Sequence, residues 1–392
     1  MPTLGPLPGV ALLGAGAYLP GAAIDNADVL RRLPAFANAD DERLCFAAEG
    51  IRTSLGLQTR HWTHEPGTPL VHGNELTTVD LAIEAARRAL AEAGVDAASL
   101  PLVIATTSTP HRMTSTLSAA VAAGLGANEA AAMDVRTGCA AGLFALQTAA
   151  TYLQHARGPV LVVGAETFSK VLPSHHKMAL LSLGDGAGAL VLGRRRDAVL
   201  RSLFVRSDGH LGGLITTDGA LPPTADEITR GGYVLSGAPE ELASVLPGKY
   251  AEAIGAVRAR SRAFRARTLV EAAPKLGSMK LGSMKLGSTK LRANRRALRD
   301  AWKGARVLVD PVDLYVPHTT SRPLVEGVAN AFAIPLERVW MDSIARHANL
   351  GSAGWLASLA AARAAGRAPA GTELLVAAVG GGMSWGAARW RI

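Results

Sequence analysis

With 392 residues and a hydrophobic fraction of 48%, the chain can form two or three domains around a substantial core. Its net charge of +9 comes from one segment, residues 257–306, where 15 Lys and Arg residues accompany only two acidic residues. The rest of the chain is slightly acidic. The positive net charge of the whole chain is therefore not evidence that the protein binds nucleic acid.

The cysteine content and the apolar segments indicate the cellular compartment of the protein. Cys45 and Cys139 are too few for a disulfide framework, which favours a reducing compartment. The apolar first twenty residues contain several prolines and no basic start, unlike a signal peptide. No uninterrupted apolar run is long enough to span a membrane, so we expect a cytoplasmic protein without a membrane partner.

Strand-like and helix-like segments alternate from end to end, which predicts an α/β fold. In the first half the patterns predict strands at 9–20, 100–109, 158–170 and 184–194, and helices at 77–94, at 115–126 and directly after Cys139. In the second half they predict a strand at 312–318, a helix at 320–334, a loop and helix at 345–366, and two strands around a glycine corner at 373–392.

The basic segment 257–306 interrupts this alternation. Its centre, residues 275–291, repeats with a period of five, which fits neither a helix nor a strand, and each unit contains a glycine. We therefore expect an insertion with a flexible centre, either a solvated surface excursion or a docking surface for an acidic partner. Only Phe264 and Trp302 are aromatic there, which disfavours nucleic-acid binding.

Two segments partly resemble cofactor-binding motifs, but neither matches its motif fully. The segment 14–21 resembles a dinucleotide-binding loop, but Leu19 replaces the third glycine and Pro20 blocks the following helix. His175 and His176 are adjacent, with no cysteine or acidic cluster at ligand spacing. We therefore expect no metal and no permanently bound cofactor.

Cys139 is the first candidate for chemistry. Free cysteines are often small core residues. Here, however, Gly138 precedes the cysteine and three small residues follow it, so a sharp entry into a helix is expected. A thiol at a helix N-terminus is stabilised as thiolate, and small neighbours leave room for a substrate.

A nucleophile needs partners that manage protons and charge. His318 ends an apolar strand, the place where α/β proteins present reactive groups, whereas His347 is a weaker candidate. Asn349 could direct an amide at a carbonyl oxygen. The three glycines 380–382 follow a buried strand, and one of their backbone N–H groups could form an oxyanion hole with that of Cys139.

Six motifs occur in order: GAGAYLP near the start, GCAAG, GDGAGA, VPH, RHAN and GGGMSWG. Together they resemble the ketosynthase III branch of the thiolase superfamily, the FabH-like condensing enzymes, over nearly the whole chain except about 200–310. The resemblance implies a thiolase fold, a homodimer and two similar αβαβα halves in a five-layered core. The halves would be residues 1–195, with Cys139, and 196–392, with the basic insertion.

By this resemblance, Cys139 matches the acylated nucleophile, and His318 and Asn349 match the residues that stabilise an enolate. Gly381 matches the oxyanion-hole donor that acts with the Cys139 amide. The implied reaction transfers an acyl group from an acyl-ACP or acyl-CoA thioester to Cys139. A decarboxylative condensation with a malonyl, or β-ketoacyl, thioester then follows, in fatty-acid or polyketide biosynthesis. An acyl carrier protein (ACP) would then be the acidic partner of the basic insertion.

The chain departs from the family pattern at several positions. The usual HQAN is HTTS at 318–321, and HGN is HAN at 347–349. Gly50 and Ser54 occupy the positions of the Trp and Arg that clamp the adenine of coenzyme A, which favours a carrier-protein donor. Met113 or Thr114 replaces the aromatic residue that closes the acyl channel, so a longer acyl chain would fit.

Two alternative functions remain. A ketosynthase III-like acyltransferase would move the acyl group from Cys139 to a hydroxyl or an amine without condensation. Asn349 favours condensation, because such transferases often carry an acidic residue at this position. A non-catalytic partner subunit would have the same fold, but such subunits usually lack the cysteine.

Overall fold

The computed structural model describes residues 3–69, 73, 75–220, 222–258 and 312–392. The strands are β1 Leu7–Tyr18, β2 Ile24–Asp25, β3 Thr59–Arg60, β4 Leu102–Thr106, β5 Ala131–Asp134, β6 Val160–Glu166, β7 Gly186–Ser207, β8 Ile215–Thr217, β9 Leu235–Gly237, β10 Leu314–Pro317, β11 Glu373–Gly380 and β12 Ser384–Arg391. The α-helices are α1 Asn26–Arg31, α2 Asp41–Leu55, α3 Thr78–Ala93, α4 Leu117–Leu125, α5 Ala141–His155, α6 Lys177–Ser182, α7 Ala225–Thr229, α8 Pro239–Arg258, α9 Arg322–Ala331, α10 Asp342–His347 and α11 Gly354–Ala364.

The predicted elements of both halves are present, with shifts of a few residues at their ends. The largest differences are β7, which extends well beyond the predicted end at 194, and α1, α2 and α8, which were not predicted. The basic insertion expected at 257–306 lies outside the described residues except for the last turn of α8. No described helix is long and apolar enough to cross a membrane.

A single mixed sheet of eight strands has the order β10-β11-β12-β7-β6-β4-β5, with β1 antiparallel beside β7. The long strand β7 pairs with β6 through residues 186–192 and with β12 through residues 199–207. The first part of β7, with β1, β6, β4 and β5, forms a first half-sheet, and the second part, with β12, β11 and β10, forms a second half-sheet. The expected boundary between residues 195 and 196 falls inside β7, so the two halves share this strand. Pairs β4–β5, β4–β6 and β10–β11 are parallel.

Three large apolar cores separate the layers of the fold. α3 and α4 cover the outer face of the first half-sheet, where Leu81 and Val163 are buried. α5 and α11 lie between the half-sheets and bury residues such as Leu146 and Trp355. α8 and α9 cover the outer face of the second half-sheet, around residues such as Tyr250.

This stacking is helix, sheet, helix, sheet, helix, as expected for the five-layered α/β fold. It follows from the alternation of side chains along each strand, which gives buried strands an apolar residue on both faces. Along β6, for example, Val160 and Val162 face the central core, whereas Leu161 and Val163 face the outer one.

Candidate active site

Cys139 lies immediately before the central helix α5. Gly138 has a φ of +58°, and a Cβ there would overlap the backbone of Gly381, so both the conformation and the space require glycine. Ala140 follows as the N-cap and is fully buried. The thiol is therefore held half-buried at the N-terminal end of a buried helix, as the sequence predicted.

The glycine corner after β11 closes directly onto this cysteine. A Cβ at Gly380 would overlap the backbone N of Cys139, so the close approach requires glycine at this position too. The backbone N–H groups of Gly381 and of Cys139 itself both point at the Cys139 sulfur. Two convergent N–H donors beside a nucleophile are the geometry needed to hold a developing oxyanion.

Burial, and after it the negative charge of Glu166, raise the pKa of the Cys139 thiol to about 12. The two N–H groups lower this pKa but do not outweigh burial. The N–H groups at this helix entry therefore favour the thiolate, but burial outweighs them, and the resting group is the thiol. Because the resting group is a thiol, a nearby base must accept its proton during nucleophilic attack.

His318 follows β10 and is fully buried, with its backbone N–H bonded to the carbonyl of Ala377 at 2.9 Å. Neither ring nitrogen has a hydrogen-bond partner among the described residues. Burial lowers the pKa of His318 to about 4, so the imidazole is neutral at physiological pH. A neutral imidazole can accept a proton at one nitrogen and donate a hydrogen bond from the other.

Asn349 lies in the turn between α10 and α11. Its backbone is fixed by hydrogen bonds to Ser182 (2.8 Å) and from Gly184 (3.1 Å). Its side-chain Oδ1 accepts from the N–H of Gly351 at 2.8 Å, and this orients the amide so that Nδ2 remains available as a donor. Ala348, directly before it, has a φ of +55°, a conformation that alanine adopts only under strain.

The topology brings these residues to one edge of the sheet. β10 and β11 are parallel neighbours, so His318 and Gly380 leave the sheet at the same end, where Gly380 contacts Cys139. His347, the weaker candidate, interacts instead with His61, Asp342 and Arg346, and burial lowers its pKa to about 4. It is not part of the cluster around the thiol.

Glu166 is a buried site residue that the sequence did not reveal. Its carboxylate ends β6 and accepts hydrogen bonds from Ser108 N (2.9 Å), Thr109 Oγ1 (2.7 Å) and Ser352 Oγ (2.7 Å). It therefore joins the loop after β4 to the turn that carries Asn349. Glu166 could have been found from the sequence as a carboxylate at the end of an apolar strand, since the ends of such strands lie at the functional edge of the sheet.

The expected substrate-binding residues Met113 and Thr114 lie on the loop between β4 and α4. Met113 is 68% exposed and Thr114 is also exposed, so the single chain does not enclose them in a channel. Gly50 and Ser54 are half-buried on α2. Within the described residues, no group of three His, Cys, Asp or Glu side chains could hold a metal ion.

The chain is similar to known proteins in sequence and in fold. The family models "3-Oxoacyl-[acyl-carrier-protein (ACP)] synthase III" and its C-terminal counterpart match residues 133–209 and 303–392. The β-ketoacyl-[acyl-carrier-protein] synthase III of Rhodospirillum rubrum is 30% identical over 389 residues, covering 97% of this chain and 98% of its own. The enzyme of the same name from Bradyrhizobium diazoefficiens is 29% identical with the same coverage of both chains.

Solved structures agree on the fold. FabH of Pseudomonas aeruginosa has a TM-score of 0.71 at 22% identity and covers 98% of both chains. The priming β-ketosynthase of the R1128 polyketide pathway has a TM-score of 0.69 at 22% identity, covering 98% of this chain and 97% of its own. The expected thiolase fold is therefore confirmed. The length and identity of the sequence matches show that the chain belongs to the β-ketoacyl-[acyl-carrier-protein] synthase III family.

Proposed function

We propose that the protein is a condensing enzyme that loads an acyl group onto Cys139 and extends it by decarboxylative condensation. The observation that carries the proposal is the convergence of the N–H groups of Cys139 and Gly381 on the Cys139 thiol at one sheet edge. Neutral His318 and the oriented amide of Asn349 supply the remaining polar groups. Membership of the synthase III family supports the same reaction.

In the first stage, the Cys139 sulfur attacks the carbonyl carbon of an acyl thioester while His318 accepts the thiol proton. The N–H groups of Cys139 and Gly381 hold the oxyanion of the tetrahedral intermediate. The carrier thiolate then leaves and takes the proton back from His318. The products are the acyl-enzyme and a free carrier thiol, and His318 is again neutral.

In the second stage, a malonyl thioester loses carbon dioxide and its C1–C2 unit becomes an enolate. A donor nitrogen of His318 and Nδ2 of Asn349 stabilise the enolate oxygen by hydrogen bonds, which are strongest in a water-poor pocket. The enolate carbon attacks the acyl-enzyme carbonyl, and the Cys139 thiolate leaves. Because the pKa of this thiol is raised, the thiolate takes a proton from solvent and the resting thiol is restored.

The acyl donor in this proposal is an acyl carrier protein rather than coenzyme A. Gly50 and Ser54 provide neither an aromatic ring nor a guanidinium for an adenine. Docking of the carrier on the basic insertion stays a prediction, because that segment lies outside the described residues. A cytoplasmic location belongs to the same proposal and is supported by the two free cysteines, Cys45 and Cys139.

We expect the purified enzyme to release carbon dioxide from malonyl-ACP only when Cys139 has been acylated, and to form a 3-oxoacyl product. The measurement combines labelled malonyl-ACP, carbon dioxide trapping and mass spectrometry of the carrier-bound product. Replacing Asn349 with alanine removes one enolate donor and should lower the condensation rate by about 100-fold while leaving acylation intact. An ester or amide product without carbon dioxide would support the acyltransferase alternative instead.

The unpaired edge of strand β5 supports a homodimer, which is part of the proposal. Among the described residues this edge strand pairs only with β4, and it leaves Ala131, Ala132 and Met133 exposed. An open apolar edge favours pairing with a second copy across a twofold axis. In such a dimer the exposed Met113 loop could face the partner subunit, which would give Met113 and Thr114 their expected substrate-binding role.

Replacing Met133 with lysine is expected to convert the dimer to a monomer, because a charge on the strand edge blocks strand pairing. The measurement is light scattering after size exclusion, with one chain weighing 40.5 kDa. Met178→Lys is the matched control: Met178 is as exposed as Met133 (40% and 41%) but lies on α6. A monomeric wild-type protein would contradict the proposed dimer.

A further inference from the structure

The oxyanion donor Gly381 is in contact with two other segments of the chain. Its backbone N and carbonyl face Gly138, where a Cβ would lie 2.9 Å from the N and 2.3 Å from the oxygen. Its Cα faces Ile215, because a Cβ built on Gly381 would lie 3.3 Å from Cβ, 3.5 Å from the carbonyl oxygen and 3.7 Å from Cγ2 of Ile215. Gly381 is therefore held by the nucleophile segment and by the first residue of β8.

The position of Ile215 is fixed by the base of the β8–β9 pair. Ile215 pairs with Gly237, which has a φ of +142°, and a Cβ there would lie 2.3 Å from the carbonyl oxygen of Leu214. Leu214 is 6% exposed and belongs to the core around α8. Seven residues before Ile215, the N–H of Asp208 donates to the carbonyl of Met383 at 2.9 Å. The segment before β8 is thus tied both to the core and to the end of the glycine corner.

Gly381 needs support from other residues because three consecutive glycines form this corner. Glycine has the widest choice of backbone conformations, and Gly382 has a φ of +102°. A hydrogen-bond donor stabilises an oxyanion best when its position is fixed before the reaction. Isoleucine suits this purpose, because its β-branched side chain has few χ1 rotamers and keeps Cβ and Cγ2 in place.

We infer that Ile215 is a positioning residue that fixes the N–H of Gly381 for the oxyanion formed when Cys139 is acylated. The side chain does so through Cβ and Cγ2, the two side-chain atoms that pack against Gly381. Ile215 acts on the reaction through Gly381. The inference rests on the proposed acylation of Cys139 and adds a residue that sets the geometry of its oxyanion hole.

The test measures single-turnover acylation of Cys139 by octanoyl-N-acetylcysteamine, with intact-protein mass spectrometry giving the maximal rate and the half-saturating concentration. Ile215→Val keeps Cβ and Cγ2, so its maximal rate should stay within about twofold of the wild-type rate. Ile215→Leu has a single γ carbon that can rotate away, and Ile215→Ala has none. Both should lower the maximal rate about fivefold at an unchanged half-saturating concentration, since complete loss of an oxyanion donor costs about 100-fold or more.

The order of the valine and leucine variants separates positioning from simple filling of space. Leucine is closer to isoleucine in volume than valine is, so a residue that only fills space would tolerate leucine better. A positioning residue tolerates valine better, because valine keeps the β-branch. Since both variants retain a branched apolar side chain, this comparison stays decisive if Ile215→Ala lowers the melting temperature.

Two controls test whether the effect is specific to the oxyanion. Alkylation of Cys139 by iodoacetamide forms no oxyanion, so its rate should stay within about twofold in every Ile215 variant. Ile228 lies on α7 in the connection between β8 and β9 and is 60% exposed. Ile228→Leu and Ile228→Ala should therefore keep the wild-type acylation kinetics.

The outcomes distinguish the inference from the proposed function. Equal maximal rates in the three Ile215 variants, or a leucine variant faster than the valine variant, would overturn the inference. A change in the half-saturating concentration alone would also overturn it, because Ile215 would then contact the substrate instead of positioning Gly381. Failure of the thioester to acylate the wild-type enzyme would contradict the proposed function itself.

Discussion

Replacing Cys139 with alanine is expected to abolish acyl-enzyme formation and to lower condensation by a factor on the order of 10⁴ or more. The thiol is the group on which the Gly381 and Cys139 N–H donors converge, so no neighbouring side chain can carry the acyl group in the same geometry. Intact-protein mass spectrometry after incubation with an acyl thioester measures the adduct, and product formation from malonyl-ACP measures condensation.

Cys45 provides an internal control for this prediction. It is the other free cysteine of the chain, and it is exposed on α2. Cys45→Ala should therefore retain the full acyl adduct and the full condensation rate. An adduct that persists in Cys139→Ala, or disappears in Cys45→Ala, would show that the nucleophile has been misassigned.

The second large effect is expected from Glu166→Gln. The carboxylate accepts from Ser108, Thr109 and Ser352, whereas a glutamine has one acceptor oxygen and an NH₂ group that opposes a donor. Because at least two buried donors lose their acceptor, the free energy of unfolding should fall by roughly 2–5 kcal/mol. The turn of Asn349 loses one of its supports, so condensation should fall more than acylation.

A pH measurement distinguishes this role from simple loss of stability. The negative charge of Glu166 disfavours the thiolate, so its removal should lower the pKa of the Cys139 thiol below the wild-type value of about 12. The rate of alkylation by iodoacetamide, which follows the thiolate fraction, should then rise at a lower pH in the variant. An unchanged pH profile would contradict the electrostatic coupling between the two residues.

Asp185→Asn is the matched control for Glu166→Gln. Asp185 is also a fully buried carboxylate, and it accepts from the backbone N–H of Ser169 (2.8 Å) and the hydroxyl of Thr63 (2.8 Å). It makes no contribution to the pKa of Cys139. The control variant should therefore lose a comparable amount of stability without shifting the alkylation profile.

The elements around the site could be predicted because their local signals were strong. The glycine and small residues around Cys139 predicted the helix entry, and the apolar run before His318 predicted its position at a strand end. Asn349 and the glycines 380–382 were candidates from their sequence context, and the family resemblance singled out Gly381, which the geometry brings onto Cys139. These residues are informative because a run of glycines, or a polar residue at the end of an apolar strand, is compatible with few local conformations.

The electrostatics of the site could not be predicted in the same way. The pKa of Cys139 depends on burial and on Glu166, and the pKa of His318 depends on burial alone. Burial is set by packing between the two halves, which no local pattern encodes. The helix α8 was not predicted because Pro247 lies inside it and its helical pattern is weak.

The pairing of β7 has a consequence for how an active molecule is made. β1 and β12 both pair with β7, and the indole N–H of Trp390 donates to the carbonyl of Val10 at 2.8 Å. The glycine corner with Gly381 precedes β12 and docks on a cysteine synthesised much earlier. Such long sequence separations make folding slow. During translation, Cys139 is therefore synthesised long before Gly381, its oxyanion donor. The active site can form only after Gly381 and β12 have been synthesised, so activity is gained late in folding.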